Sequence, residues 1–336
     1  MTHENDDPIG SAARRLFGDI FDGSAGQQAG DAAATQWAQC VEGGFVHALL
    51  PESQDGIGLS LSDYFSTALA AGACASPLPI VHTALFLRLL ADATPELALP
   101  EGAITYAERA VVRDGALCAL EVPWADVSQW ALADTPDGVW LLPVDGDAGN
   151  ARHRVCQGAG PNAWTAAGGR ALPVSGETLR AVAAAGYSAL LAGALERMLA
   201  LTLHHANERK QFGKPIGRFQ AIQQQISAMA ERVTAARMAA QMGFNDDVWS
   251  ARIDSLAVAK AITSEVVPMA ASVAHAVHGA IGVTAEFALQ RYSGAAHRWR
   301  GAAGGEVYWR RLIGQRVLAD PSLPRDFLRT HLSGAR

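Results

Sequence analysis

Between Leu179 and Asn207 the chain has no proline, and Leu190, Leu191, Ala194, Leu195, Met198, Leu201 and Leu203 recur at helical spacing. A run this long buries its apolar stripe only against other long elements. The rest of the C-terminal zone supplies them. Phe219–Gly243 carries Ile222, Ile226, Met229, Val233 and Ala236 on one side. Ala251–His278 forms a third helix, with a kink expected at Pro268, where the backbone loses a donor. Ala285–Trp299 and Glu306–Leu318 supply the last helical pieces. About four antiparallel helices with apolar faces make a bundle. Gly186 and Gly193 lie on one face of the first helix and let a neighbour approach closely. That face is expected to pack on a second chain.

Two zones precede the bundle. The first has helical patterning at Ser11–Phe21, Ala32–Leu49, Ser62–Ala73 and Ile80–Leu90. Ser62 followed by Asp63 is a helix-start signal, and Gly43-Gly44 and Gly56–Gly58 read as loops. In the second, short apolar runs (Val111-Val112, Leu117–Val122, Val127–Leu132, Gly138–Val144) are separated by Asp114-Gly115, Asp137-Gly138 and Asp145-Gly146. Asp-Gly between short apolar runs is a hairpin signal, because Gly accepts the positive φ such turns need. This zone is expected to be a small antiparallel sheet or barrel. The expected fold is therefore mainly α with a small β-barrel. It divides into an N-terminal helical domain (1–100), a short middle β-barrel domain (101–178) and a C-terminal helical bundle (179–336).

Composition narrows the functions open to such a fold. The 336 residues are 49% hydrophobic and 18% charged, which supports a sizeable core. Lys+Arg is 27 against 33 Asp+Glu, so no basic excess exists to coat nucleic acid. Cys40, Cys74, Cys118 and Cys156 form no CxxC pair and have no histidine at metal-ligand spacing, so neither a disulfide framework nor a zinc site is expected. The start, MTHENDDPIG, is acidic and polar, unlike a signal or transit peptide. No membrane span is expected, and the cytoplasm is the default location.

One segment stands apart. Asn207 to Gln220 contains Arg209, Lys210, Gln211, Phe212, Gly213, Lys214, Pro215, Ile216 and Arg218, and lysine occurs elsewhere only at Lys260. A cationic loop with an aromatic ring suits a phosphate-bearing ligand, since Arg binds pyrophosphate bidentately and Phe stacks on a flat ring. Composition alone also allows an ordinary interhelical turn with solvated charges.

The string Arg209-Lys210-Gln211-Phe212-Gly213-Lys214-Pro215-Ile216, followed by Phe219-Gln220, resembles the R-x-Q-F-G-x-P-I-x-x-F-Q signature of the acyl-CoA dehydrogenases. Val277-His278-Gly279-Ala280-Ile281-Gly282-Val283-Thr284-Ala285-Glu286 resembles that family's Q-x-x-G-G-x-G-[FY]-T-x-E stretch, and the spacing between the blocks fits. A weaker block, Val122-Pro123-Trp124-Ala125, resembles a segment of the middle barrel in shorter members. The resemblance implies FAD as cofactor, an acyl-CoA thioester as substrate, and dimers or tetramers. It implies that Arg209 meets the pyrophosphate of FAD held by a neighbouring subunit, with Phe212 near its adenine side and Gln211 beside them. His278 and Gly279 carry the second contact with the partner's cofactor. Ala280 and Ala276 stand where the family keeps a Gly and a Gln.

The family's reaction removes an α-proton with a carboxylate while the β-hydride goes to flavin. The glutamate of most members aligns with Ala303, in Ala303-Gly304, and that of a minority with about Ala183. Glu306 is the nearest substitute, although an acid at a helix start is also favoured by the helix dipole. Glu286 and His278 are expected to be structural. In the middle zone, Ile104-Thr105-Tyr106-Ala107-Glu108-Arg109 keeps a trace of the family's T-E-P-x-x-G-S-D stretch and lacks its Gly-Ser-Asp. The resemblance implies the shorter subunit of a two-gene acyl-CoA dehydrogenase, as in bacterial steroid side-chain degradation, in an α₂β₂ assembly with a longer, base-bearing subunit. Two readings stay open beside it: a self-sufficient enzyme using Glu306, and a flavin-free scaffold that keeps only the fold.

Overall fold

A computed structural model describes residues 7–21, 29–113, 116–119, 122–144, 162–165, 169–245, 253–321 and 326. Asp114-Gly115, Asp145-Gly146 and Cys156 lie outside the described residues. The chain clusters into two compact units. One comprises 1–18, 61–75 and 187–336; the other comprises 19–60 and 76–186.

The helices follow the apolar periodicity, with ends set by side chains the periodicity does not report. Helix α1 is Pro8–Phe21. It starts before Ser11 because the Asp7 carboxylate accepts the Gly10 N–H at 2.8 Å and Pro8 sits where a missing amide costs nothing. Helices α2 (Ala29–Glu42), α3 (Leu61–Ala73) and α4 (Ile80–Ala93) follow. Helix α5, Gly176–Glu208, begins where the Ser175 hydroxyl accepts the Thr178 N–H at 3.0 Å. Helices α6 (Gln220–Met242), α7 (Ile253–His278), α8 (Leu289–Gly301) and α9 (Glu306–Ala319) complete the bundle zone, and α7 runs on through Pro268.

In the larger unit α7 packs against α6, α8 and α9. Its buried positions include two charged groups, each with a partner. Asp254 meets the Arg316 guanidinium at 2.6 Å. The fully buried Lys260 ammonium donates to the Ser264 hydroxyl (2.9 Å) and to the carbonyls of Trp299 (3.1 Å) and Arg300 (2.8 Å). A cation there satisfies carbonyls that the end of α8 leaves open.

Gly193 of α5 meets α3 backbone to backbone: a Cβ at Gly193 would lie 2.1 Å from the Leu69 carbonyl oxygen, and one at Gly72 would lie 2.3 Å from that of Leu190. In the other unit Gly186 is filled by the His82 ring and Leu85 of α4. The expectation that Gly186 and Gly193 form a face for a second chain is therefore corrected. Small residues permit close approach, and this chain's own helices have taken it. By length and composition α5 and α7 are apolar enough to cross a membrane, but the apolar stretch of α5 is 89% buried inside the protein, as in a core helix.

The smaller unit carries the sheets. Strands β1 (Ile104–Ala107), β4 (Trp130–Thr135), β5 (Gly138–Pro143) and β7 (Arg170–Leu172) form one sheet in the order β1-β4-β5-β7. Strands β2 (Val111–Arg113), β3 (Ala116–Ala119) and β6 (Asn162–Thr165) form another, in the order β2-β3-β6. Asp137-Gly138 does close a hairpin, with Thr135 facing Gly138 across β4 and β5. The expectation of purely antiparallel pairing fails at β1 and β4, which are parallel with Ile104 facing Trp130. Such pairing needs a long connection, which the β2–β3 excursion provides. Arg180 of α5 anchors that helix to the sheet, meeting Asp134 at 2.8 Å and Glu108 at 3.4 Å.

Candidate functional site

After α5 the chain turns into a two-stranded ribbon, β8 (Lys210–Gln211) and β9 (Lys214–Pro215), with Gln211 facing Lys214. The two turn residues, Phe212 (φ 50) and Gly213 (φ 79), are both left-handed, as a two-residue hairpin of type I′ requires. Glycine takes that conformation freely, whereas Phe212 is strained there by about 1–2 kcal/mol. Its ring is also 90% exposed, so folding gains almost nothing from it. The Phe219 ring meets it edge-on, with centroids 6.2 Å apart. Arg209 is anchored by its backbone: its N–H donates to the His205 carbonyl (2.9 Å), and its carbonyl accepts the Ile216 N–H (2.8 Å). Its guanidinium is exposed and has no ion-pair partner among the described residues. Lys210, Gln211 and Arg218 are also exposed, while the Lys214 ammonium sits 4.4 Å from the Phe219 ring centre.

The second motif block lies beside the first. Ile216 of the ribbon packs against Ala206, Ile226 and Val277, with Leu199, Ile222 and Val273 at the margin. Val277 is the last residue but one of α7, so this small core joins the ends of α5 and α7. His278 is buried, with its Nδ1–H donating to the Ala274 carbonyl at 2.7 Å. Burial lowers its pKa first, and His275 adds to the effect. Gly279 follows in a left-handed conformation (φ 65) with open space where a side chain would be. Ile281, Val283 and Glu286 are exposed. Thus Arg209, Gln211 and Phe212 at the ribbon, His278 at the end of α7 and Gly279 just after it share one end of the bundle unit.

The loop between α8 and α9 is built differently. Ala303 is 1% exposed and left-handed (φ 54), followed by Gly304 (φ 87). The buried Trp309 indole N–H is shared between the carbonyls of Ala303 (3.0 Å) and Gly304 (3.1 Å). Glu306 forms a bidentate pair with Arg300, whose Nη2 meets Oε1 and whose Nε reaches Oε2 at 3.2 Å. The Arg300 hydrogen bond holds the Glu306 carboxyl below the usual range.

Residues 179–318 match the acyl-CoA dehydrogenase C-terminal domain. Over these residues the chain belongs to the acyl-CoA dehydrogenase family. It is 30% identical to acyl-CoA dehydrogenase FadE34 of Mycobacterium tuberculosis over 80% of this chain and 40% of that one. It is 34% identical to acyl-CoA dehydrogenase IpdE2 of Mycolicibacterium smegmatis over 31% of this chain and 32% of that one. These matches span well under half the length of either relative. Among solved structures, a chain of the Tcur3481–Tcur3483 steroid ACAD superposes with a TM-score of 0.76 at 21% identity, covering 92% of this chain and 96% of that one. A chain of the ChsE4–ChsE5 complex of Mycobacterium tuberculosis gives 0.73 at 22%, covering 94% and 100%. At such identities the likeness is one of fold.

The two positions at which the resemblance implies a base both hold alanine. Ala303 is buried in its capped turn, and Ala183 is fully buried in α5, with its carbonyl accepting from the buried His82 Nε2 at 3.1 Å. In the trace of the family's middle-domain motif, Thr105 is buried and its hydroxyl donates to the Pro123 carbonyl. Sequence reasoning missed three residues that shape the site: His205, Lys260 and Trp309. Only His205 carried a local signal, standing one helical turn before Arg209.

Proposed function

We propose that this chain is a subunit of an FAD-dependent acyl-CoA dehydrogenase that introduces an α,β double bond into an acyl-CoA thioester, with the base supplied by a longer partner subunit in an α₂β₂ assembly. The observation that carries the proposal is a contrast between two kinds of position in the chain. The ribbon presents an exposed guanidinium without an ion-pair partner among the described residues and an aromatic ring that is 90% exposed, while both positions for a base hold buried alanines. The Tcur3481–Tcur3483 neighbour, named for two components, and the ChsE4–ChsE5 complex support the partner, and the steroid ACAD supports a steroid side-chain thioester as the substrate class.

The residues fit the dinucleotide end of FAD. Arg209 offers an exposed guanidinium fork for a pyrophosphate, Phe212 an exposed ring for adenine, Gln211 an amide and Gly279 an unobstructed backbone. When bound, FAD supplies the acceptor for the β-hydride. This chain's residues hold and orient the dinucleotide, and the α-proton leaves to a carboxylate of the partner. Glu306 is unsuited to that task, since its tie to Arg300 keeps it a weak, engaged base.

Expression of the chain alone and with a longer acyl-CoA dehydrogenase homologue, followed by size-exclusion mass and flavin absorbance, tests the proposal. A tetramer with about one FAD per pair of unlike chains is expected. A homodimer carrying one FAD per chain and active on an acyl-CoA would overturn it in favour of the self-sufficient enzyme. An assembly free of flavin would leave a scaffold.

A further inference from the structure

The ribbon and the Gly279 loop spring from the ends of two different helices, yet a ligand can use both only if their spacing is held. A pair of rings spans the gap. His205, in the last turn of α5, stacks on His278, the final residue of α7, with centroids 4.4 Å apart and planes 26° from parallel. Phe287 closes the cluster, tilted on His278 at 4.8 Å and edge-on to His205 at 6.2 Å. Each ring is tied to its motif through the backbone. The His205 carbonyl accepts the Arg209 N–H, and Gly279 directly follows His278, whose own ring is fixed to Ala274. A shift of His205 therefore shifts the root of the ribbon.

We propose that His205 is a positioning residue for the cofactor arm: by stacking on His278 it holds the Arg209–Ile216 ribbon in register with the Gly279 loop. The proposal rests on the reading that these two segments grip FAD. Its core, the anchoring of the ribbon by the ring, is separable from that reading. What the position requires is a flat ring. The imidazole's ability to charge works against the stack, because a proton on His205 would face His278 and lie near His204 and Arg209, with His275 beyond.

The test compares His205→Ala with His205→Phe in the full chain, reading hydrogen exchange over residues 209–218, and in the flavin-loaded assembly, reading the Kd for FAD. Truncation is expected to speed exchange of the ribbon and weaken FAD binding about fivefold, the scale of one lost aromatic pair. The Phe variant is expected to restore both, with thermal stability close to the parent. Equal behaviour of the Ala and Phe variants, or an Ala variant with parental exchange, would overturn the proposal. Should Arg209→Ala leave FAD binding unchanged while His205→Ala still loosens the ribbon, the cofactor reading fails and the anchoring role stands.

Discussion

The indole N–H of Trp309 is shared between the carbonyls of Ala303 and Gly304, and this closes the turn in which most relatives of the fold would carry a base. Replacing Trp309 with Phe leaves two buried carbonyls without their donor, which costs about 1–3 kcal/mol. Ala303→Glu forces a carboxylate into a buried, left-handed position and is expected to lower stability more, without creating activity in the isolated chain. Thermal denaturation with an acyl-CoA assay checks both; a self-sufficient Ala303→Glu enzyme would contradict the closed turn.

Glu306→Gln is expected to leave turnover of the complete assembly within about threefold of the parent, whereas loss of a general base costs about 10²–10⁴ in rate. The carboxylate is occupied by Arg300 and is partly solvated, so the stability change should stay near 1 kcal/mol or less. A rate loss of the larger size would make Glu306 the base.

Arg209→Ala removes a charge-assisted contact and should weaken FAD binding in the assembly by about 1.5–3 kcal/mol, roughly tenfold to a hundredfold, while leaving the helical circular dichroism unchanged. Flavin-to-protein absorbance after gel filtration reads the effect directly.

Gly193→Ala drives a methyl into the Leu69 carbonyl, a contact the α3 backbone relieves only by moving. A loss of about 1–3 kcal/mol in chemical denaturation is expected, without a change in oligomeric state. A changed oligomer with unchanged stability would place the glycine face at a subunit interface after all.

Stability should also fall on the acid side. Burial lowers the His82 pKa from 6.5 to about 3. Between those values the unfolded chain holds a proton at this site and the folded chain does not. Stability therefore rises with pH up to 6.5 and is lost below it, by about 1.4 kcal/mol per unit as pH falls towards 3. His82→Gln should flatten this part of the profile; an unaltered slope would show that other groups govern it.

The sequence by itself determined what is local. Helical periodicity set α5, α6 and α7 to within a few residues, and Asp137-Gly138 marked its hairpin. The string from Arg209 to Phe219 carried its chemistry in consecutive residues, so both motif blocks were legible without coordinates. A period of 3.6 identifies a buried face but not the surface that covers it. Only the tertiary structure decided that Gly193 meets Leu69, that β1 pairs in parallel with β4, and that Lys260 caps the end of α8. The stack of His205 on His278 belongs to the same class. Each residue looks unremarkable in its own helix, and their meeting depends on how α5 and α7 cross, which follows from the summed packing of the bundle and from no segment of it.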